Sequence, residues 1–164
     1  MESGLLKKTQ RCLIDGSIPN PISVKVESKN QGGFNTKIFM RSHVIESDQP
    51  NGFAGENKGP KPSELVLAAL AACQETTWRI FADDMGIKIN EISVRLTGSQ
   101  DLRGFMSVDK NVPAGFESIS GEVFIDSDAS LEKLEALKSV VDDHCPVMDD
   151  LIRSVQINID LKKA

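Results

Sequence analysis

Between Ser63 and Met85 the chain contains neither proline nor glycine, and it is bounded by Pro62 on one side and Gly86 on the other. Most residues in between are good helix formers, so the pattern predicts one long helix, with Gly86 supplying the residue that closes it. The first half of that helix is the run Leu65-Val66-Leu67-Ala68-Ala69-Leu70-Ala71-Ala72-Cys73, which is apolar on every side. A helix without a polar face must be covered all round, by a core or by a second subunit. The rest of the chain has to provide that cover, and whatever it leaves bare predicts a homodimer.

The flanking segments read mainly as strands. Ile22, Val24 and Val26 alternate with polar residues, a turn is expected at Asn30-Gln31-Gly32-Gly33, and Phe34 to Val44 is rich in strand formers, which together predict an antiparallel hairpin. Glu46 to Pro62 has too many breakers for a regular element, although Phe53 is placed to seed a short strand. After the long helix, Ile92, Val94 and Leu96 mark a strand within Ile87 to Thr97. Gly98 to Gly115 is an irregular connection, and Ile119, Val123 and Ile125 mark another strand. Asp126-Ser127-Asp128 is expected to cap a helix carrying Leu131, Leu134, Leu137 or Lys138, and Val141 on one stripe. Cys145 follows four residues later on that stripe, Pro146 opens a short helix to about Ile152, and Val155, Ile157, Ile159 and Leu161 alternate in a last strand. The fold class is α+β, with a long buried central helix packed on mainly antiparallel sheet. Residues 1–21 are expected to form an N-terminal arm, closed by Pro19-Asn20-Pro21, and residues 22–164 the domain.

With 164 residues and 40% apolar content the chain can bury a core of its own. The net charge of −5, with no concentrated basic patch, argues against nucleic acid or an anionic membrane surface as partner. The longest apolar stretch, Leu65 to Cys73, is nine residues, against roughly 20 needed to span a bilayer. Met1 to Gln10 lacks the apolar centre of a secretion signal, so a cytoplasmic location is expected. In that reducing compartment three scattered cysteines are not a structural disulfide framework, and any bridge would serve chemistry. Cys12 is the one without an evident role.

Cys73 and Cys145 are the residues best suited to chemistry. A cysteine reacts as its thiolate, and an ordinary thiol is only a few per cent ionised at neutral pH. Cys145 is expected at a helix start, where unpaired amides and the helix dipole favour an anion, and His144 adds charge when protonated. Cys73 sits among alanines and leucines, where burial works against ionisation unless a donor or cation arrives from elsewhere. Arg41, Arg79, Arg95 and Arg103 are candidate partners, each equally explained as an exposed residue. The competing reading makes Cys73 a small buried hydrophobe and His144 a surface residue before a cap. No Cys-x-x-Cys or His-x-x-x-His pair is present, which argues against a structural metal. Neither a phosphate-cradling glycine loop nor a Gly-x-Ser-x-Gly elbow occurs.

The segment Gly59-Pro60-Lys61-Pro62-Ser63-Glu64-Leu65-Val66-Leu67-Ala68-Ala69-Leu70-Ala71-Ala72-Cys73, followed far downstream by His144-Cys145-Pro146-Val147, resembles the OsmC/Ohr family of osmotically induced and organic-hydroperoxide-resistance proteins. Asp101-Leu102-Arg103-Gly104-Phe105 looks like the corresponding segment of OsmC-like members. The resemblance runs from about Ile22 to Leu161. It implies an intertwined α+β homodimer in which a thiol pair reduces organic hydroperoxides. Cys73 would be the peroxidatic residue and Cys145 the resolving one, with an external thiol or dithiol as reductant and no bound cofactor or metal. In the best-studied members an arginine after a Gly-Gly turn and a glutamate after the helix-opening proline hold the thiolate. Aligning on Gly32-Gly33 and Pro62 places Phe34 and Ser63 there. Arg41, Arg79 and His144 are the candidate substitutes, with Glu64 one residue out of register. Two rival functions stay open at this point: a non-catalytic protein that binds a small apolar ligand, and a redox sensor whose disulfide forms without turnover.

Overall fold

A computed structural model describes residues 4–163. Its elements in order are α1 (Leu5–Ile14), β1 (Glu27–Gly32), β2 (Asn35–Met40), β3 (His43–Ser47), α2 (Pro62–Asp84), β4 (Glu91–Gln100), α3 (Leu102–Phe105), β5 (Phe116–Asp126), α4 (Leu131–His144) and α5 (Pro146–Ile152). The chain is an α+β protein with a three-stranded sheet in the order β1-β2-β3 and a two-stranded sheet of β4 and β5; the β1-β2 and β2-β3 pairs are antiparallel. Its contacts divide it into two compact units. One gathers the chain up to Ala69 with Leu96–Gly121, and the other gathers Leu70–Arg95 with the chain from Glu122 onward.

In the first unit the hairpin sits later than the alternation of Ile22, Val24 and Val26 suggested. Those three side chains are exposed in an unpaired extended segment, and β1 begins only at Glu27. The strand expected from Phe34 to Val44 is instead two strands, divided at Arg41, whose φ of 54° turns the chain back on itself. Phe34 lies at the turn between β1 and β2, 55% exposed. The loop after β3 is pinned by Asp48, a buried carboxylate that accepts hydrogen bonds from the amides of Gln49 (2.8 Å), Glu56 (3.0 Å) and Lys58 (3.2 Å). These bonds favour its ionised form and hold the carboxyl below its usual range against the opposing effect of burial. Asn51–Phe53 is a single 3₁₀ turn where a short strand was expected. The arm expected before residue 22 contains α1, which buries none of its side chains.

Asp101-Leu102-Arg103-Gly104-Phe105, expected to be irregular, forms one helical turn. Asp101 caps it by accepting from the Arg103 amide at 2.9 Å. Gly104 is required there, because a Cβ would overlap the carbonyl oxygens of Val112 and Pro113.

The second unit contains the main core: Trp78 and Ala82 from α2, Ile87 and Ile89 from the following loop, and Leu137 and Val141 from α4. Gly86, at φ 67°, ends α2 and lets the chain turn so that Ile87 and Ile89 point back into this cluster. Ser130, rather than the Asp126-Ser127-Asp128 run, caps α4, its hydroxyl accepting from the Lys133 amide. Leu131 lies outside the buried stripe at 71% exposure, whereas Leu137, Val141 and Cys145 are fully buried.

The alternating segment Val155 to Leu161 is not a strand. Alternation equips a segment for a sheet, but a strand exists only where a neighbour completes its ladder, and none of the described residues does so. Val155, Ile157, Ile159 and Leu161 are accordingly 46%, 77%, 89% and 98% exposed.

Candidate functional site

Two backbone features bring the site together. The first is α2, which carries Cys73 in its middle. The second is the break between α4 and α5. A residue before proline is disfavoured in helical geometry, and Cys145 adopts φ −76°, ψ 111°, so α4 stops there and α5 starts at Pro146. Cys145 remains tied to both helices. Its amide donates to the Val141 carbonyl at 2.9 Å, and its carbonyl accepts from the Asp149 amide at 3.0 Å. The first amides of α5 have no partner within their own helix, and that of Val147 favours the ionised form of the Cys73 thiol.

The two sulfurs lie 3.3 Å apart, although 72 positions separate the residues in sequence. Both are free thiols, with Cys145 Sγ–H donating to Cys73 Sγ. Cys145 is fully buried and Cys73 only partly so, which leaves Cys73 the sulfur that a molecule from solvent can reach. Beside the pair, the buried Gln74 donates from Nε2 to Met148 Sδ at 3.4 Å and fastens α5 to α2. Thr77, one turn after Cys73 and also buried, donates from Oγ1 to the Cys73 carbonyl at 2.8 Å.

Burial pushes the Cys73 thiol above its ordinary range, and the neighbouring Cys145 acts in the same direction. The neighbouring Val147 amide and Thr77 hydroxyl, both neutral donors, oppose that rise. Among the described residues no cationic side chain figures in this balance.

The charged candidates are engaged elsewhere. Arg79 Nη1 donates to the Ile89 carbonyl at 2.9 Å and so holds the loop after α2. Six residues beyond Cys73, it also points roughly 120° away around the helix. Arg95 lies over the Phe124 ring, 4.7 Å from its centre, and Arg103 is paired with the Asp101 carboxylate. Arg41 occupies the exposed turn between β2 and β3. His144 hydrogen-bonds through Nδ1 to the Val140 carbonyl at 2.8 Å and packs against the Phe81 ring. Glu64 caps the start of α2, accepting from the Lys61 amide at 2.9 Å. Ser63 lines a concavity of about 220 Å³ in the first unit, with Phe53, Lys61, Leu102, Phe105 and Met106 among its walls. No group of three or more His, Cys, Asp or Glu suited to a metal occurs among the described residues. None of the described helices is long and apolar enough to cross a membrane.

Sequence reasoning overlooked Gln74, Thr77, Val147 and Met148. Thr77 had a signal, since residues four apart share a helix face. Val147 had one too, because it follows a proline at the first position of a helix and keeps a free amide. Gln74 and Met148 meet only through tertiary packing.

The OsmC-like protein family profile matches residues 55–160. A comparison with curated proteins finds no match. Among solved structures the chain is similar to an OsmC-like protein from Mycoplasma pneumoniae, with a TM-score of 0.72, 21% identity, and 82% of this chain and 90% of that one covered. It is similar to an organic hydroperoxide resistance protein OsmC from Legionella pneumophila (TM-score 0.63, 20% identity, 83% and 93% covered). It also resembles the organic hydroperoxide resistance protein OhrB of Bacillus subtilis (TM-score 0.55, 23% identity, 86% and 98% covered). The matched profile begins before α2 and ends in the exposed tail, so it takes in both cysteines, and the chain belongs to the OsmC-like protein family.

Proposed function

We propose that this protein is a thiol-dependent peroxidase that reduces organic hydroperoxides through Cys73 and Cys145, in defence against oxidative stress. The observation that carries the reading is the 3.3 Å contact between a partly exposed and a fully buried thiol. In the first step the Cys73 thiolate attacks the outer peroxide oxygen and the O–O bond breaks. The departing alkoxide takes up a proton to become an alcohol, and Cys73 becomes a sulfenic acid. Cys145 then attacks the Cys73 sulfur, water leaves, and a disulfide forms. An external dithiol restores both thiols and is itself oxidised to a disulfide. The organic hydroperoxide resistance proteins among the structural neighbours supply the substrate class.

The active form is proposed to be a homodimer. Ile22, Val24 and Val26 in one exposed segment, and Val155, Ile157, Ile159 and Leu161 in another, form apolar rows that a second copy of the chain is suited to cover. A cytoplasmic location suits the use of free thiols.

A second reading, a non-catalytic binding protein or a redox sensor, is favoured by a specific observation. The Cys73 thiol is pushed up rather than down, and aligning on Gly32-Gly33 and Pro62, as the resemblance suggests, leaves the uncharged Phe34 and Ser63 where an arginine and a glutamate would support a thiolate. Steady-state consumption of cumene hydroperoxide with dithiothreitol as reductant separates the readings. The peroxidase predicts turnover that Cys73→Ser abolishes. Equal rates in the wild type and Cys73→Ser would reject it.

A further inference from the structure

The concavity of about 220 Å³ in the first unit is walled by two segments that the chain holds in place by specific contacts. One is the loop carrying Gln49 and Phe53. Three amides gather on its Asp48 carboxylate, and Gly55 packs on the Gln49 carbonyl so closely that a Cβ would overlap it. The other is α3, fixed by the Asp101 cap and by the approach of Gly104 to the Val112 and Pro113 carbonyls. Gln100 anchors the same wall, donating from Nε2 to the Ala114 carbonyl at 2.8 Å. Walls fixed before a ligand arrives lose little freedom when it binds.

The lining has two kinds of surface. Phe53, Leu102, Phe105 and Met106 are large apolar side chains that the fold leaves exposed, and all four line this concavity. Apolar exposure gathered in one place and rimmed by polar groups marks a binding surface. Beside them are Gln49, Lys61 and Ser63, whose side-chain amide, ammonium and hydroxyl make no hydrogen bond or ion pair among the described residues. Lys61 is the one charge in the lining among the described residues. The nearest acid in sequence, Glu64, is outside that lining and accepts from the Lys61 backbone amide instead. An unpaired ammonium calls for an anion, and the Ser63 and Gln49 groups can donate to further oxygens of it. The apolar wall calls for a hydrocarbon tail. The volume lies below the roughly 300–1,000 Å³ of drug-sized pockets, which sets the occupant as a small molecule.

We infer that this concavity binds a small organic carboxylate with an apolar tail, the carboxylate on Lys61, Ser63 and Gln49 and the tail against the Phe53, Leu102, Phe105 and Met106 wall. The inference does not rest on the peroxidase reading, which gives these side chains no step.

The test titrates octanoate into the full wild-type chain and follows backbone amide shifts by NMR. Octanol serves as the uncharged ligand with the same tail, and acetate as the charged ligand without one. Octanoate is expected to saturate one site per chain with a Kd of about 1 mM or tighter, shifting the amides of Gln49, Phe53, Ser63 and Phe105. Octanol and acetate are each expected to bind at least about tenfold more weakly. Lys61→Met keeps the apolar stem and removes the charge, so it should weaken octanoate about tenfold and leave octanol within about twofold. Octanol binding as tightly as octanoate to the wild type would overturn the inference without recourse to any variant. So would a Lys61→Met titration that overlays the wild type, or no saturable shift of these amides by octanoate. Amides that respond to dilution of the protein and not to octanoate would give the concavity to a second copy of the chain, which also overturns it. Cumene hydroperoxide turnover is scored separately. Octanoate binding by a chain that consumes no peroxide upholds the inference and removes the peroxidase reading, and the converse result removes the inference alone.

Discussion

The balance of groups around Cys73 makes a quantitative prediction about pH. Burial and the adjacent Cys145 outweigh two neutral donors, so the thiol ionises above its ordinary range. A free cysteine titrates at about 8.5, which caps the Cys73 thiolate at about 3% at pH 7. Below the titration point each pH unit multiplies the thiolate, and with it the rate of attack on a peroxide, about tenfold. Between pH 6.5 and 8.0 the second-order rate constant for the first oxidation is therefore expected to rise roughly 25- to 30-fold. The measurement is single-turnover oxidation of the wild type by excess cumene hydroperoxide, with the loss of the Cys73 thiol followed by quenching, alkylation and mass spectrometry. A thiolate already stabilised by a cation would give less than about a twofold change over the same interval. Such a flat profile would refute the account of Cys73 given above. The same shift carries a stability consequence with a definite sign. Because the folded state favours the protonated thiol, folding stability should hold below about pH 8.5 and fall as pH rises through the folded-state value.

Three further outcomes are expected. Leu137 is fully buried in the core of the second unit, and Leu137→Ala should cost about 3 kcal/mol, lowering Tm by roughly 10 °C; an unchanged melting curve would contradict that core. Asp48→Asn removes the charge that gathers three amides, so proteolysis within Gln49 to Lys58 should accelerate; in the wild type the stabilisation from this carboxylate should persist above about pH 4 and be lost as pH falls through its depressed folded-state value. Ile157→Asp combined with Ile159→Asp places charges on the exposed tail and should convert the proposed dimer to monomer by sedimentation equilibrium, whereas an unaltered dimer would remove the tail from the interface.

How far the sequence could be read depended on whether a feature was fixed locally or by a partner. Helix α2 was legible to within a residue at each end, because Pro62 and Gly86 bracket a run with no competing geometry. The break at Cys145-Pro146 was legible for the same reason, since a proline constrains its predecessor whatever surrounds it. Alternation in Ile22 to Val26 and Val155 to Leu161 was equally clear, yet both segments are unpaired. The pattern records which faces a strand would present, not which neighbour completes its ladder. Arg41, Arg79, Arg95 and Arg103 were indistinguishable in the sequence, because a long flexible cation is committed only by the acceptor that folding brings to it. For Arg79 that acceptor is the Ile89 carbonyl and for Arg95 the Phe124 ring. The contact of Cys73 with Cys145 arises from the core that draws the Leu137, Val141 and Cys145 stripe inward, and no local pattern specifies it.

The most direct trial of the redox pair is stoichiometric. Fully reduced protein receives one equivalent of cumene hydroperoxide per chain, remaining thiols are blocked with iodoacetamide, and peptides are mapped without reduction. A disulfide joining the Cys73 and Cys145 peptides, two thiols lost and one cumyl alcohol formed per chain, is the predicted result. Recovery of both cysteines as alkylated thiols, with the peroxide unconsumed, would contradict it.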